Sequence, residues 1–297
     1  MDVVELIQKG KIRRYLCSRG KLSYPGAISH ITQRAPGREK LFVEGSDYVF
    51  MLHLLKRSAL EFKLKFFSFA LMSNHVHLLF QLLEDNLSRA MQHLFHTYAC
   101  YFNSKYERKG HTVCGRYRQA LCFDETYLLA SSVYIHINPV VAGIVKTSAD
   151  YRWSSIVPFV TPFAEKTFVD YKFVLNLLDR NIESARLSYR ELMNRSIAIK
   201  MKNCRDNKGA IEEFRGKFLK PLKDVAYFDN MHQKSITMEL ATHDFTQYKR
   251  KRHPETIAAK AYVIQQLRAK GYTIAQIAER LGICRQTVYR ISQKHLP

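Results

Sequence analysis

Between residues 27 and 138 the apolar positions alternate between a period near 2 and a period near 3.6, in an order that specifies a fold. Ala27 to Gln33 puts Ile28, His30 and Thr32 on one face of a short strand. Arg34-Ala35-Pro36-Gly37-Arg38 reads as a turn with a cation at each end. Ser46 precedes a helix over 47–63, with Val49, Leu52, Leu55, Leu60 and Phe62 as its apolar side. Residues 64–72 form an apolar, aromatic strand, Ser73-Asn74 a tight turn, and residues 75–82 a second strand, which makes 64–82 a hairpin. Asn86 is a candidate N-cap for a helix running to about Tyr106, striped by Leu87, Met91, Leu94, Tyr98 and Phe102. Residues 112–123 read as a fourth strand with Arg116 and Arg118 on one face, and a helix over 126–138 follows. The order β-α-β-β-α-β-α predicts an α+β fold, a ferredoxin-like (RRM-like) split βαββαβ core with one added helix.

After Tyr151-Arg152-Trp153-Ser154-Ser155 the pattern changes, and Pro158 and Pro162 suggest a boundary. Three segments are predicted: a core over 20–160, a helical basic region over 165–245, and a compact helical unit over 255–297 after the linker 249–254. The last unit reads as helices over 261–270, 273–280 and 285–294, with Leu281-Gly282-Ile283 as a glycine-containing turn. Ile277, Ala278, Leu281, Ile283, Val288 and Ile291 supply its apolar contacts. This is a helix-turn-helix pattern, with Arg285, Gln286, Thr287, Tyr289 and Arg290 around the recognition helix. Arg and Gln can read base edges there, although a three-helix module for protein contacts has the same pattern.

Charge sharpens this picture. The 297 residues carry 47 Lys and Arg against 26 Asp and Glu, a formal net charge of +21, with pI about 9.8. Such an excess on a globular chain points to a polyanion, most often nucleic acid. Over 186–223 eleven basic residues face four acidic ones, and over 246–297 eleven face two, so most of the excess lies outside the predicted core. The six cysteines form no Cys-x-x-Cys pair, against a disulfide framework or zinc knuckle. No apolar run is long enough to span a membrane and no signal-peptide pattern opens the chain, so a cytoplasmic protein is expected.

Two motifs could carry chemistry. His75-Val76-His77 on a strand aims both imidazoles at one side, where they could reach one ion. A chance His-x-His is expected about 0.5 times in a chain with this histidine content, so alone it reads equally as two half-buried histidines. Tyr134-Ile135-His136-Ile137-Asn138-Pro139 places a phenol and an amide four residues apart on one helix face. Activation of tyrosine, with an ordinary pKa near 10, needs a nearby cation or base. Tyr127 lies seven residues earlier on nearly the same face, and spacing does not choose between the two tyrosines. Asn138 also suits the N-cap of a short helix with Pro139 at its first position.

The order of motifs resembles a known family. It comprises Ser23 to Arg34, Leu71 to Phe80, Asn86 to Met91, Gly115 to Arg118, Tyr134 to Gly143 and Tyr151 to Ser155. Together these resemble the REP-associated tyrosine transposases, a branch of the single-tyrosine HUH transposases, over residues 20–160. The resemblance implies that His75 and His77 are metal ligands, Tyr134 rather than Tyr127 the nucleophile, and Asn138 a third ligand, for Mg²⁺ or Mn²⁺. It implies transesterification of single-stranded hairpin (REP-like) DNA through a 5′-phosphotyrosine. Arg34, Arg38, Arg116 and Arg118 would contact that DNA. The helix-turn-helix would add duplex recognition through Arg285, Gln286, Thr287 and Arg290. A monomer is favoured over a dimer. The chain departs from the family at Ala35-Pro36-Gly37, where Gly-Asn is usual, and at Tyr117, where Phe is usual. Two other classes share these features: a non-catalytic DNA-binding regulator that retains the fold, and an RNA-binding protein. The second lacks the aromatic signature of RRM strands over 112–123.

Overall fold

The computed structural model describes residues 21, 23–37, 39–122, 124–162, 167–199, 210–225, 264, 272–281 and 284–294. Four strands, β1 (Ile28–Arg34), β2 (Leu64–Met72), β3 (His75–Leu82) and β4 (Arg118–Cys122), form one antiparallel sheet in the order β2-β3-β1-β4. Helices α1 (Gly45–Glu61), α2 (Leu87–Lys105) and α3 (Glu125–Val141) complete the βαββαβ core with its added helix. Short helices α4 (Val157–Val160) and α5 (Tyr171–Leu175) and longer helices α6 (Ile182–Ile197) and α7 (Ala210–Val225) follow. In a second unit lie α8 (Ile274–Leu281) and α9 (Arg285–Lys294). The two compact units are Pro25–Phe228, and Met1–Tyr24 with Asp229–Pro297.

The register decides what each face of the sheet carries. His77 lies opposite Thr32 and Ala70, His75 opposite Arg34 and Met72, and Arg118 opposite Thr32. Directly opposed residues share a face and the side-chain period is 2. One face therefore holds His30, Thr32, Arg34, His75, His77 and Arg118. The other holds Ile31, Val76, Leu78, Phe80 and Leu121, all buried.

Helix α2 buries the stripe its sequence predicts: Leu87, Met91, Leu94, Tyr98 and Phe102. Helix α1 does not. Its buried side is Asp47, Met51, Leu54, Leu55 and Ser58, whereas Val49 is 57% and Leu60 77% exposed. The cause is Asp47, which is fully buried. Its carboxylate accepts hydrogen bonds from the Val43 and Glu44 amides (2.8 and 3.0 Å), Tyr106 Oη (2.8 Å) and Lys105 Nζ (2.7 Å). These bonds turn the first turn of the helix inward. Asp47→Ala would orphan these donors, and we expect a loss of about 3 kcal/mol, read as a lower urea midpoint at unchanged slope.

Strand β4 is shorter than its sequence suggests. Gly115 takes φ +58°, a left-handed conformation that breaks the extended run. Arg116 therefore lies in a bend ahead of the strand, and the expectation that it shares a strand face with Arg118 is corrected.

Helix α3 starts at Asp124, whose Oδ1 accepts from the Tyr127 amide at 2.6 Å. It runs through Pro139, so Asn138 is not the cap of a separate short helix. The helix ends shortly after Pro139 in a Schellman motif. Gly143, at φ +69°, donates to Val140 O, and the Ile144 amide donates to Pro139 O, both at 2.9 Å.

Residues beyond 150 build onto this core. Tyr151 Oη donates to Leu71 O at 2.6 Å, the Leu71 amide donates to Trp153 O at 2.9 Å, and the Ser155 amide donates to Phe69 O at 3.0 Å. Helix α3 packs on β2, β3 and β4 on one side and on α6 and α7 on the other. Among the described residues no helix is long and apolar enough to cross a membrane.

Candidate active site and DNA-binding surfaces

The histidine-bearing face of the sheet meets α3. The His75 and His77 rings are perpendicular, with centroids 4.8 Å apart. The Tyr134 ring stands edge-on to His77 at 5.7 Å and to His30 at 6.0 Å. Two elements distant in sequence, β3 and α3, thus place two imidazoles of the His-x-His motif and one phenol in a single cluster. Asn138 is buried one turn further along α3. Tyr127 sits near the start of the same helix with the Arg215 guanidinium 4.9 Å over its ring. The sheet register brings Arg34 alongside His75, and Arg34 and Arg118 are half-buried. Arg116 is exposed, and Arg38 lies outside the described residues.

The cluster is closed. Tyr134 is 1% exposed, and Phe214 of α7 packs against its ring at 5.3 Å. Arg215 fastens α7 to the start of α3 through Asp124 Oδ2, at 2.8 Å.

His75 Nδ1 and Asn74 Oδ1 are 2.6 Å apart. His77 Nδ1 lies 3.0 Å from His30 Nε2 and 3.2 Å from Thr32 Oγ1. His77 Nε2 and Asn138 Nδ2 are buried without a hydrogen-bond partner. Burial first, then His75, His30 and Arg34, drives the His77 pKa well below its ordinary value. Burial lowers that of His30 to about 3. Both rings are therefore neutral near pH 7, the protonation state a metal ligand requires. The orphaned polar atoms suit a divalent cation: two imidazoles with one amide oxygen (the Asn138 amide turned about its last torsion) form a mixed donor set compatible with Mn²⁺. Among the described residues no group of three His, Cys, Asp or Glu side chains is placed to hold a metal ion.

His30 and His136 are not among the sequence-predicted site residues. His30 stands in the predicted strand, but its proximity to His77 follows from the β1–β3 register, which the sequence does not print. His136 is fully buried, between Tyr189 Oη (2.8 Å from Nδ1) and Ser155 Oγ (2.9 Å from Nε2), and Ser132 Oγ lies 2.8 Å from the same phenol. This network fixes α3 to α6 and to the segment after 150. Burial depresses the His136 pKa to about 3. The unfolded chain takes up the proton near 6.5, so stability is full above that pH and falls as pH drops toward 3. Each such histidine is expected to cost about 1.4 kcal/mol per pH unit in that window. The measurement is urea denaturation from pH 7 to pH 4.5, with His136→Gln flattening the slope.

In the second unit Thr273 forms a capping box with Gln276. Gln276 Oε1 accepts from the Thr273 amide at 2.9 Å, and Thr273 Oγ1 accepts from the Gln276 amide at 3.3 Å. Helices α8 and α9 pack together through buried Ile277, Ala278 and Val288. Arg285, Gln286 and Arg290 are exposed and Thr287 is half-buried. The predicted helix over 261–270, apart from a buried helical Ile264, and the turn residues Gly282 and Ile283 lie outside the described residues.

Two family models match separate segments of the chain. The family model described as Transposase IS200 like matches residues 24–137, a segment that contains all four strands, both histidines of the motif and Tyr134. The model described as Homeodomain-like domain matches residues 254–295. No curated protein matches the chain. A solved structure, described as the REP associates tyrosine transposase bound to a REP hairpin, is similar at 18% identity and a TM-score of 0.41. It covers 47% of this chain and 82% of its own. Over residues 24–137, this chain is similar to the IS200-like transposases.

Proposed function

We propose that the protein is a metal-dependent strand transferase acting on single-stranded hairpin DNA of the REP-like kind. In this reading residues 20–160 form the HUH domain, and 255–297 a helix-turn-helix that holds duplex DNA. The observation that carries it is the edge-on packing of Tyr134 against His77, within the segment matched by the transposase family.

His75, His77 and Asn138 would hold Mg²⁺ or Mn²⁺. The bound ion supplies positive charge that polarises a phosphate and eases ionisation of a nearby phenol. The Tyr134 phenolate oxygen forms a bond to phosphorus, the bond from phosphorus to the 3′-oxygen breaks, and that oxygen leaves as a 3′-hydroxyl after taking a proton. A 5′-phosphotyrosine remains, so the phosphodiester energy is conserved for strand transfer without ATP. Arg34 and Arg118, on the same face, offer guanidinium groups to the phosphate backbone. Because Tyr134 is enclosed, access by a phosphate requires α7 to move away from α3.

That enclosure is also what favours the second reading, a non-catalytic DNA-binding regulator that retains the fold. The two are separated by incubating the full chain with labelled hairpin single strands and Mn²⁺ and resolving products under denaturing conditions. The transferase yields a covalent protein–DNA band, and the regulator gives salt-sensitive binding without cleavage. For the helix-turn-helix, Arg285→Ala and Arg290→Ala are each expected to reduce the slope of log affinity against log salt by about 1 if they hold phosphates. Titration of duplex DNA at several salt concentrations measures it.

A further inference from the structure

The face that carries His75 and His77 carries a third histidine, and its geometry assigns it a task. His30 is 3% exposed, and its Nε2 lies 3.0 Å from His77 Nδ1. One hydrogen must lie between these two nitrogens, and its owner determines the tautomer of His77. If His30 Nε2 donates, His77 must carry its own hydrogen on Nε2. That hydrogen would then be a buried donor without an acceptor, because His77 Nε2 has no partner. If His77 Nδ1 donates, the orphan is a lone pair instead, a far more common state for a buried nitrogen that waits for a cation. Thr32 Oγ1, 3.2 Å from the same Nδ1, can accept in this arrangement as well, and as a hydroxyl it is compatible with either tautomer.

We infer that His30 is a positioning residue: by accepting the Nδ1 hydrogen of His77 it fixes the tautomer and ring orientation in which His77 Nε2 presents its lone pair to the cation. The inference rests on the proposed metal site. Its first consequence does not need metal, because the tautomer is set in the ion-free protein.

The test uses the full chain labelled with ¹⁵N-histidine and long-range ¹H–¹⁵N correlation spectra at neutral pH. His77 is expected with its hydrogen on Nδ1, and a hydrogen on Nε2 would overturn the inference. Mn²⁺ titration calorimetry without DNA then compares His30→Leu, His30→Gln and His77→Ala. His30→Leu keeps bulk and removes the acceptor, and Mn²⁺ affinity is expected to fall about 10- to 100-fold. His30→Gln places an amide oxygen where Nε2 was and is expected to restore most of that loss. Unchanged affinity in His30→Leu, or equal loss in Leu and Gln variants, contradicts a positioning role. If His30→Leu retains affinity while His77→Ala loses it, the inference fails and the metal site stands. If His77→Ala itself keeps affinity, the metal site fails and the inference with it.

Discussion

Tyr134→Phe is expected to abolish covalent capture of hairpin DNA while leaving non-covalent hairpin binding intact. The substitution keeps the ring that packs edge-on to His77, His30 and Phe214, so the contacts that seat α3 on the sheet survive. Only the attacking oxygen is lost, with at most about 1 kcal/mol of stability from its hydrogen bonding. Loss of a nucleophile costs at least about 10³-fold in rate, enough to remove the adduct from a denaturing gel. Tyr127 is not expected to substitute. It lies two helical turns toward the start of α3, about 10 Å away along the axis, under the Arg215 guanidinium. Tyr127→Phe should therefore leave adduct yield unchanged.

His77→Ala is expected to have the second largest effect. Altering the partner of a metal-bound histidine already costs 10- to 100-fold, so removing a donor should cost at least about a hundredfold in Mn²⁺-dependent cleavage. The loss should be partly reversed by excess Mn²⁺, which an effect on Tyr134 itself would not show. Cleavage rate measured against Mn²⁺ concentration separates the two. Asn138→Ala is expected to move in the same direction by less, because water can replace an amide oxygen but not an imidazole.

Much of the fold was legible because its elements are locally consistent. The hairpin at 64–82 and the stripe of α2 follow from period and turn residues alone. The failures have identifiable causes. In helix α1 Val49 and Leu60 are exposed against the pattern, because Asp47 is buried by partners, Lys105 and Tyr106, that lie nearly sixty residues away in the sequence. Strand β4 is shorter than the pattern suggests, because a left-handed glycine at 115 looks like any other glycine in a string. Within the candidate site, His75, His77 and Tyr134 were readable from motif and order. His30 was not assigned there, since only the pairing of β1 with β3 brings it to His77. The covering of Tyr134 by Phe214 was equally hidden, since the segment over 165–245 has no motif that names its neighbour.

Peptide mapping of the captured adduct tests the central claim most directly. Wild-type chain is incubated with a 5′-labelled or 3′-labelled hairpin single strand and Mn²⁺, digested, and the DNA-bearing peptide sequenced by mass spectrometry. The account predicts one modified residue, Tyr134, joined to the 5′-phosphate of the downstream fragment, with a free 3′-hydroxyl on the other. An adduct at Tyr127 or any other residue, or cleavage that proceeds unchanged in Tyr134→Phe, would contradict it.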